Sequence, residues 1–422
     1  MATVAPFRAL RYSLARIGDL SRVIAPPYDV YGPDERDAFC REPHSIVHLD
    51  CNAGSTDPSA PDNRYARAAA TLRAWLEDGL LARDPVAAIY AYEQEYRWGD
   101  ETLPRRSFIA RVRLERFGEG RIYPHERTFS GPKEDRYQLT LATRCNLSQP
   151  LAFYLDPAGE ALAPLLPAFE RPPDMTATGP DGVINRLWGV THADAVAAVQ
   201  AALAERDLFI ADGHHRYETS LRYLEQLGEV PPDHPARFVA CVCVGSGDPG
   251  LRVMPTHRVL SGLDGFGVPA LVEAAAEAFE WRPVDGGAAG LEAALEAASE
   301  TAMGVLAADG AGLLVPRSGG APDSLGVAAP LRRLNVTILD DWLRPTWLTP
   351  RWGAGTTAYV HRVEEAAELL AGGAQVAFLL RACPLQTILD VAAARELMPQ
   401  KSTYFYPKVA TGLVINPLTD DL

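Results

Sequence analysis

The chain has 422 residues, 47% of them hydrophobic and 22% charged, the composition of a globular protein long enough for two cores. Its formal net charge is -14 and its pI is near 5.2. An acidic surface repels a nucleic-acid backbone and argues against general DNA or RNA binding, while leaving room for a small basic pocket.

The N-terminus lacks a charged segment followed by an apolar one, and no run of eighteen apolar residues occurs. The expectation is a cytoplasmic protein with no membrane partner. The six cysteines form no CxxC pair. Cys241 and Cys243 alternate within an apolar run, so both should face one side of a strand and pack in the core.

In chain order, Val23-Ile-Ala-Pro-Pro-Tyr-Asp-Val30 comes first. Its two prolines block a helix and present Tyr28 and Asp29 on a stiff segment. Ser45–Leu49 reads as a strand, with Ile46 and His48 on one face. From Asn63 to Leu81 the pattern is helical, with Tyr65, Leu72 and Trp75 on one stripe. Strands over 87–93 and 105–114 flank a hairpin loop at Trp98-Gly99-Asp100.

A polar concentration follows at 122–137, holding His125, Glu126, Thr128, Lys133, Glu134, Asp135 and Arg136. Arg as a planar fork, Lys as a point charge and Thr as a hydroxyl all suit phosphate. The carboxylates could serve as a base or hold a metal. A helix is predicted from Glu134 to Cys145, strands at Ala152–Leu155 and Arg186–Val190, and a helix from Ala193 to Glu205.

Asp207–Thr219 then reads as a strand, a sharp turn and a helix start. Leu208, Phe209 and Ile210 are the strand, and Gly213 permits the turn. Tyr217, Leu221 and Leu224 recur at helical spacing. Asp212, His214, His215 and Arg216 sit at the junction, where helix N–H groups also favour an anion. An apolar strand follows over 236–245. His257-Arg258 comes after a Pro-Thr turn; alone, His257 reads as a structural histidine.

Alanine-rich helices are expected around Leu271, Ala275 and Phe279 and around Leu291–Leu295. Short strands should lie at 304–307 and 312–316. Asn335–Trp342 and Val363–Ala371 read as helices, and 357–361 and 375–381 as strands. Near the end, Lys401, Ser402, Thr403 and Lys408 are interleaved with three aromatics. A solvated tail would not carry that pattern, so these side chains should pack back toward a shared site. The division expected is 1–262 as a phosphate-binding catalytic domain, 263–394 as a second α+β domain, and 395–422 as a segment returning to the site.

Five motifs in order resemble a bacterial and archaeal family named domain of unknown function one-thousand-fifteen. They are Ala25–Val30, His125-Glu126 with Asp135-Arg136, Ala211–Thr219, Pro255–Arg258 and Lys401–Lys408. The Asp212–Arg216 turn also resembles the nucleotide-phosphate motif of the ParB/sulfiredoxin superfamily, which includes an archaeal free-serine kinase. That resemblance implies an α+β (mixed α/β) fold with a ParB/sulfiredoxin-like core and a second, smaller α+β domain. It also implies phosphate contacts from His214, His215 and Arg216, while the resemblance to the family of unknown function implies a link to serine metabolism.

The expected function is a small-molecule phosphotransferase, a nucleotide-dependent kinase acting on serine or a related hydroxy amino acid. ATP or ADP would be the cofactor, with Mg²⁺. Asp29, Glu126 or Asp212 would take the hydroxyl proton or help hold Mg²⁺. Gly213, Arg216, His125, Thr128, Lys133, Arg136, His257, Lys401, Ser402, Thr403 and Lys408 would form the ligand-binding set. The alternatives are a phosphatase acting on phosphoserine, with His214 or His215 as nucleophile or acid, and a nucleotide-binding regulator without catalysis. No P-loop and no kinase HRD or DFG set is present. The adjacent His214 and His215 point apart on regular structure, which argues against a zinc centre built on that pair.

Overall fold

The computed structural model describes residues 2–126 and 130–422. The fold is α+β. The chain forms two compact units: one holds Met1–Pro124, Thr128–Arg252 and Pro407–Leu422, and the other holds His125–Arg127 and Val253–Tyr406.

In the first unit the strands are β1 (Val4–Ala5), β2 (Ile89–Trp98), β3 (Glu101–Arg113), β4 (Ile122–Pro124), β5 (Leu151–Tyr154), β6 (Met175–Thr178), β7 (Ile184–Val190), β8 (Leu208–Asp212) and β9 (Phe238–Gly245). They form a nine-stranded sheet in the order β4-β8-β5-β9-β3-β2-β7-β6, with β1 added to β3. β8 runs parallel to β4 and β9 parallel to β5, while the other pairings are antiparallel. β2 and β3 form the expected hairpin, with Trp98 opposite Glu101. β9 is central and nearly all apolar, and Cys241 and Cys243 join one core with Phe108, Ile210 and Tyr217.

The helices of this unit are α1 (Pro33–Phe39), α2 (Val47–Asp50), α3 (Arg64–Glu77), α4 (Ser130–Thr143), α5 (Ala193–Ala204) and α6 (His214–Leu227). Asn63 caps α3 by accepting the Ala66 N–H at 2.8 Å, and Tyr65, Ala68, Leu72 and Trp75 form its buried stripe. α4 packs on both α3 and α6.

The strand expected at Ser45–Leu49 is instead the short helix α2. Ser45 Oγ accepts the Val47 N–H at 3.3 Å, a local bond that starts a turn. Ile46, Val47 and Leu49 are all buried, so no face is left to alternate toward water.

The second unit carries a six-stranded sheet of β10 (His257–Ser261), β11 (Phe279–Pro283), β12 (Met303–Ala307), β13 (Gly310–Pro316), β14 (Thr356–Val360) and β15 (Val376–Leu379). The order is β11-β13-β12-β15-β10-β14. Its helices include α7 (Val268–Ala275), α8 (Gly287–Ala297), α9 (Asn335–Thr337), α10 (Val363–Ala371) and α11 (Leu385–Ala393). Phe279, expected on a helix, opens β11 opposite Pro316 and packs its ring against Trp342 and Trp347. The helix expected at 335–342 is longer and wider: α9 runs into a π-helical segment, Ile338–Leu348.

Candidate functional site

In the first unit, β8 ends at Asp212 and α6 begins at His214. Gly213 links them in the left-handed region, at φ 81°. A Cβ there would also lie 2.7 Å from Arg216 Nε, so glycine is required by both backbone and packing. α6 is locked onto the sheet by Tyr217. Its hydroxyl donates to the Glu115 carbonyl at 2.8 Å and accepts the Glu115 N–H at 2.9 Å.

Asp212 is clamped by two cations. Lys408 Nζ donates to Oδ1, and Arg216 Nη2 donates to Oδ2 at 2.5 Å. Burial works to raise the Asp212 carboxyl, but Lys408, Arg216 and His214 outweigh it and hold it well below the usual carboxylate range. Both oxygens of Asp212 are engaged by cations. Arg216 is fixed at its other end by Nη1 donating to the Gln149 carbonyl at 2.7 Å.

A second buried pair lies in the same unit. Arg136 Nη1 donates to Asp50 Oδ1 at 2.9 Å, and its Nη2 donates to Asp135 Oδ2 at 2.6 Å. The Arg136 guanidinium stands 4.1 Å from the centre of the Tyr28 ring, so the Pro-Pro-Tyr segment is held by a cation–π contact. The exposed Asp29 next to it acts electrostatically on Arg216 and Tyr28. Asp50, Arg136, Arg216 and Thr219 share the wall of a cavity of about 30 Å³. Asp50 Oδ2 and Thr219 Oγ1 have no hydrogen-bond partner among the described residues. That volume suits water rather than an organic substrate.

Three residues that sequence reasoning missed complete this centre. One is Asp50. The other two, Gln94 and Arg105, face each other across the β2–β3 hairpin. Both are fully buried. Arg105 Nη2 donates to Gln94 Oε1, and Gln94 Nε2 donates to the Lys408 carbonyl at 2.9 Å. The backbone of Lys408 is thus pinned behind the ammonium that reaches Asp212.

The expected residues divide between the units. Asp29, Lys133, Arg136, Asp212, Gly213, His214, His215, Arg216 and Lys408 belong to the first. Lys133 is ion-paired with Glu218 of α6 at 2.9 Å, so it ties α4 to α6. His214 is buried in the first turn of α6. His125, Glu126, His257, Lys401, Ser402 and Thr403 belong to the second unit. There His125 Nε2 bonds Thr403 Oγ1 at 2.7 Å, and Glu126 bridges to Met398. His257 is buried and accepts the Leu380 N–H on Nδ1 at 3.1 Å. Lys401 stands at φ 56°, its carbonyl accepting Arg258 Nη2 at 3.0 Å, and Ser402 Oγ donates to the Pro399 carbonyl. Thr128 lies outside the described residues.

Among the described residues no three His, Cys, Asp or Glu side chains gather into a metal-holding group. Asp212 has both oxygens on cations, so it does not fit a resident metal. No helix among the described residues is long and apolar enough to cross a membrane.

Fold and site together define an α+β protein with a carboxylate clamped by two cations at a strand-to-helix turn. By sequence the chain belongs to the family described as "Protein of unknown function (DUF1015)", whose model matches residues 4–337. No curated protein matches it. Among solved structures it is similar to a mutant free serine kinase in complex with ADP, at 15% identity and a TM-score of 0.36, covering 68% of this chain and 84% of that one. It is also similar to a conserved hypothetical protein from Pyrococcus furiosus, at 15% identity and a TM-score of 0.35, covering 68% and 89%. A C-terminally truncated SbnI from Staphylococcus aureus matches at 12% identity and a TM-score of 0.37, covering 74% and 87%. Likeness at this level assigns no residue a role.

Proposed function

We propose that the first unit is a nucleotide-dependent small-molecule kinase acting on serine or a related hydroxy amino acid. The observation that supports this best is the Lys408–Asp212–Arg216 clamp at the first turn of α6. Phosphoryl transfer is mostly positioning and neutralisation of charge. The clamp brings two cations, Lys408 and Arg216, to one carboxylate at the start of α6. The N–H groups opening α6 add their partial positive charge at the same place.

In this reading Arg216, Lys408 and the α6 N-terminus hold phosphate oxygens of ATP or ADP, with His214 and His215 beside them. Asp212 keeps both cations oriented. Asp29 takes the proton from the acceptor hydroxyl, because it is the exposed carboxylate beside Arg216. Asp50 is enclosed against a cavity too small for an amino acid. Arg136 and Tyr28 hold the Asp29 segment in place. Mg²⁺ would arrive on the nucleotide phosphates, as this ion does where proteins provide few ligands.

The test is incubation of the purified protein with serine, Mg²⁺ and either ATP or ADP, with phosphoserine quantified by mass spectrometry. Phosphoserine should form, and Asp29→Asn should reduce its rate at least a hundredfold with the fold intact. No phosphoserine with either nucleotide would overturn the reading. Release of phosphate from phosphoserine without nucleotide would replace it with a phosphatase.

A further inference from the structure

The second unit contains a cavity of about 640 Å³ with no part in the reading above. That is the size of a small-molecule site. Its lining includes apolar side chains, Leu334, Val336 and Leu380, together with Arg381 and the first turn of α11 through Pro384 and Thr387.

Arg381 is set in place from two sides. Its Nη1 donates to the carbonyls of Leu295, Glu296 and Ala298 at 2.7, 3.0 and 3.0 Å, closing the C-terminal end of α8. Its backbone N–H donates to Asn335 Oδ1 at 3.1 Å, and Asn335 Nδ2 is bound in turn to the Glu300 and Ala302 carbonyls. No acceptor among the described residues meets Arg381 Nε or Nη2, and no carboxylate there pairs with it. Of the other charges on the cavity wall, Arg258 pairs with Asp340 and Arg333 with Glu300, while Asp390 accepts Gln386 Nε2 at 2.8 Å and keeps its negative charge.

α11 adds to the same sign. It has nine residues, and no side chain caps its N-terminus at Pro384. Thr256, 2% exposed, also lines the cavity, and its Oγ1 has no hydrogen-bond partner among the described residues.

We propose that this cavity binds an amphipathic organic anion. Its carboxylate or phosphate-monoester head would sit on Arg381 and the first turn of α11, and its apolar body on Leu334, Val336 and Leu380. A fixed guanidinium with two open nitrogens, Nε and Nη2, suits a planar or tetrahedral oxyanion. The proposal is independent of the kinase reading, since every residue it uses belongs to the second unit.

The experiment is calorimetric titration of the full chain with 3-phenylpropionate, phenyl phosphate and, as the neutral counterpart, 3-phenylpropanol. Saturable binding of at least one anion is expected, at least tenfold tighter than the alcohol. Binding by one head group only would support the site and identify the head it takes. Arg381→Met and, at the cavity wall, Thr387→Trp should each weaken the bound anion at least tenfold, with unchanged circular dichroism. Should Arg381→Met unfold, since it also closes α8, Thr387→Trp carries the test. No saturable binding of either anion, equal binding of the alcohol, or binding indifferent to Thr387→Trp would overturn the proposal.

Discussion

Lys408 lies 196 positions beyond Asp212 in sequence, yet its ammonium closes on Asp212 Oδ1 while Arg216 closes on Oδ2. The carboxylate is therefore the keystone of two cations that would otherwise repel. Asp212→Asn should destabilise the protein by about 3 kcal/mol, because it leaves both cations in place without a counter-charge. Because the folded Asp212 carboxyl is depressed, its stabilisation is present above the ordinary aspartate range and lost as pH falls below it. Urea unfolding should show the gap between wild type and Asp212→Asn at pH 7 closing below about pH 4.

Gly213 leaves no room for a side chain in the turn. Gly213→Ala combines a left-handed backbone with a methyl 2.7 Å from Arg216 Nε. The expected cost is about 1–3 kcal/mol, with Arg216 displaced and phosphate binding weakened. Denaturant unfolding and a phosphate-ligand titration of the same sample measure both effects. Unchanged binding in a destabilised protein would mean that Arg216 does not contact the ligand.

Arg105 separates a positioning role from a structural one. It is fully buried, and its Nε and Nη1 have no partner among the described residues. Burial pulls its proton affinity down. Replacing such a cation with an apolar side chain of similar length is often neutral or stabilising. Arg105→Met should therefore leave the melting temperature unchanged or higher. The same change removes the support behind Gln94 and Lys408, so nucleotide affinity should fall several-fold. A variant that loses stability and keeps affinity would reverse this assignment.

His257 sets a pH dependence in the second unit. Burial, with His361 and Arg258 beside it, pulls its imidazole down to about 4. An unfolded histidine titrates near 6.5, so between about pH 6.5 and 4 only the unfolded chain takes up the proton. Stability should fall as pH drops through that window, by on the order of 3 kcal/mol in total. His257→Gln can still accept the Leu380 N–H and should flatten the profile. Thermal melts of both proteins across that range give the comparison.

The strand–turn–helix around Asp212 was legible because three signals coincide there: an apolar triplet, a glycine, and a helical repeat beginning at Tyr217. The β2–β3 hairpin was legible from its Gly-Asp turn. Its register was available too, since counting back from Trp98 opposite Glu101 puts Gln94 opposite Arg105. That step would have exposed a buried polar pair in the sheet. Asp50 was hidden by the misreading of 45–49, where alternation of Ile46 and His48 imitates a strand although a Ser45 bond and burial on every side make a helix. The pairing of Lys408 with Asp212 has no local signal, because it comes from the fold returning the last segment to the first unit. Sequence reasoning placed His257 within 1–262 and Ser402 within 395–422, whereas both belong to the unit that holds Val253–Tyr406, since each is a single polar residue whose surroundings come from the fold.

The measurement that bears most directly on the central claim is calorimetric titration of ADP and Mg²⁺ into wild type and Lys408→Met. Saturable binding by the wild type and at least a tenfold loss in the variant are expected, with both proteins folded by circular dichroism. Absence of binding to the wild type, or equal affinity in the two proteins, would contradict a phosphate seat at the Lys408–Asp212–Arg216 clamp.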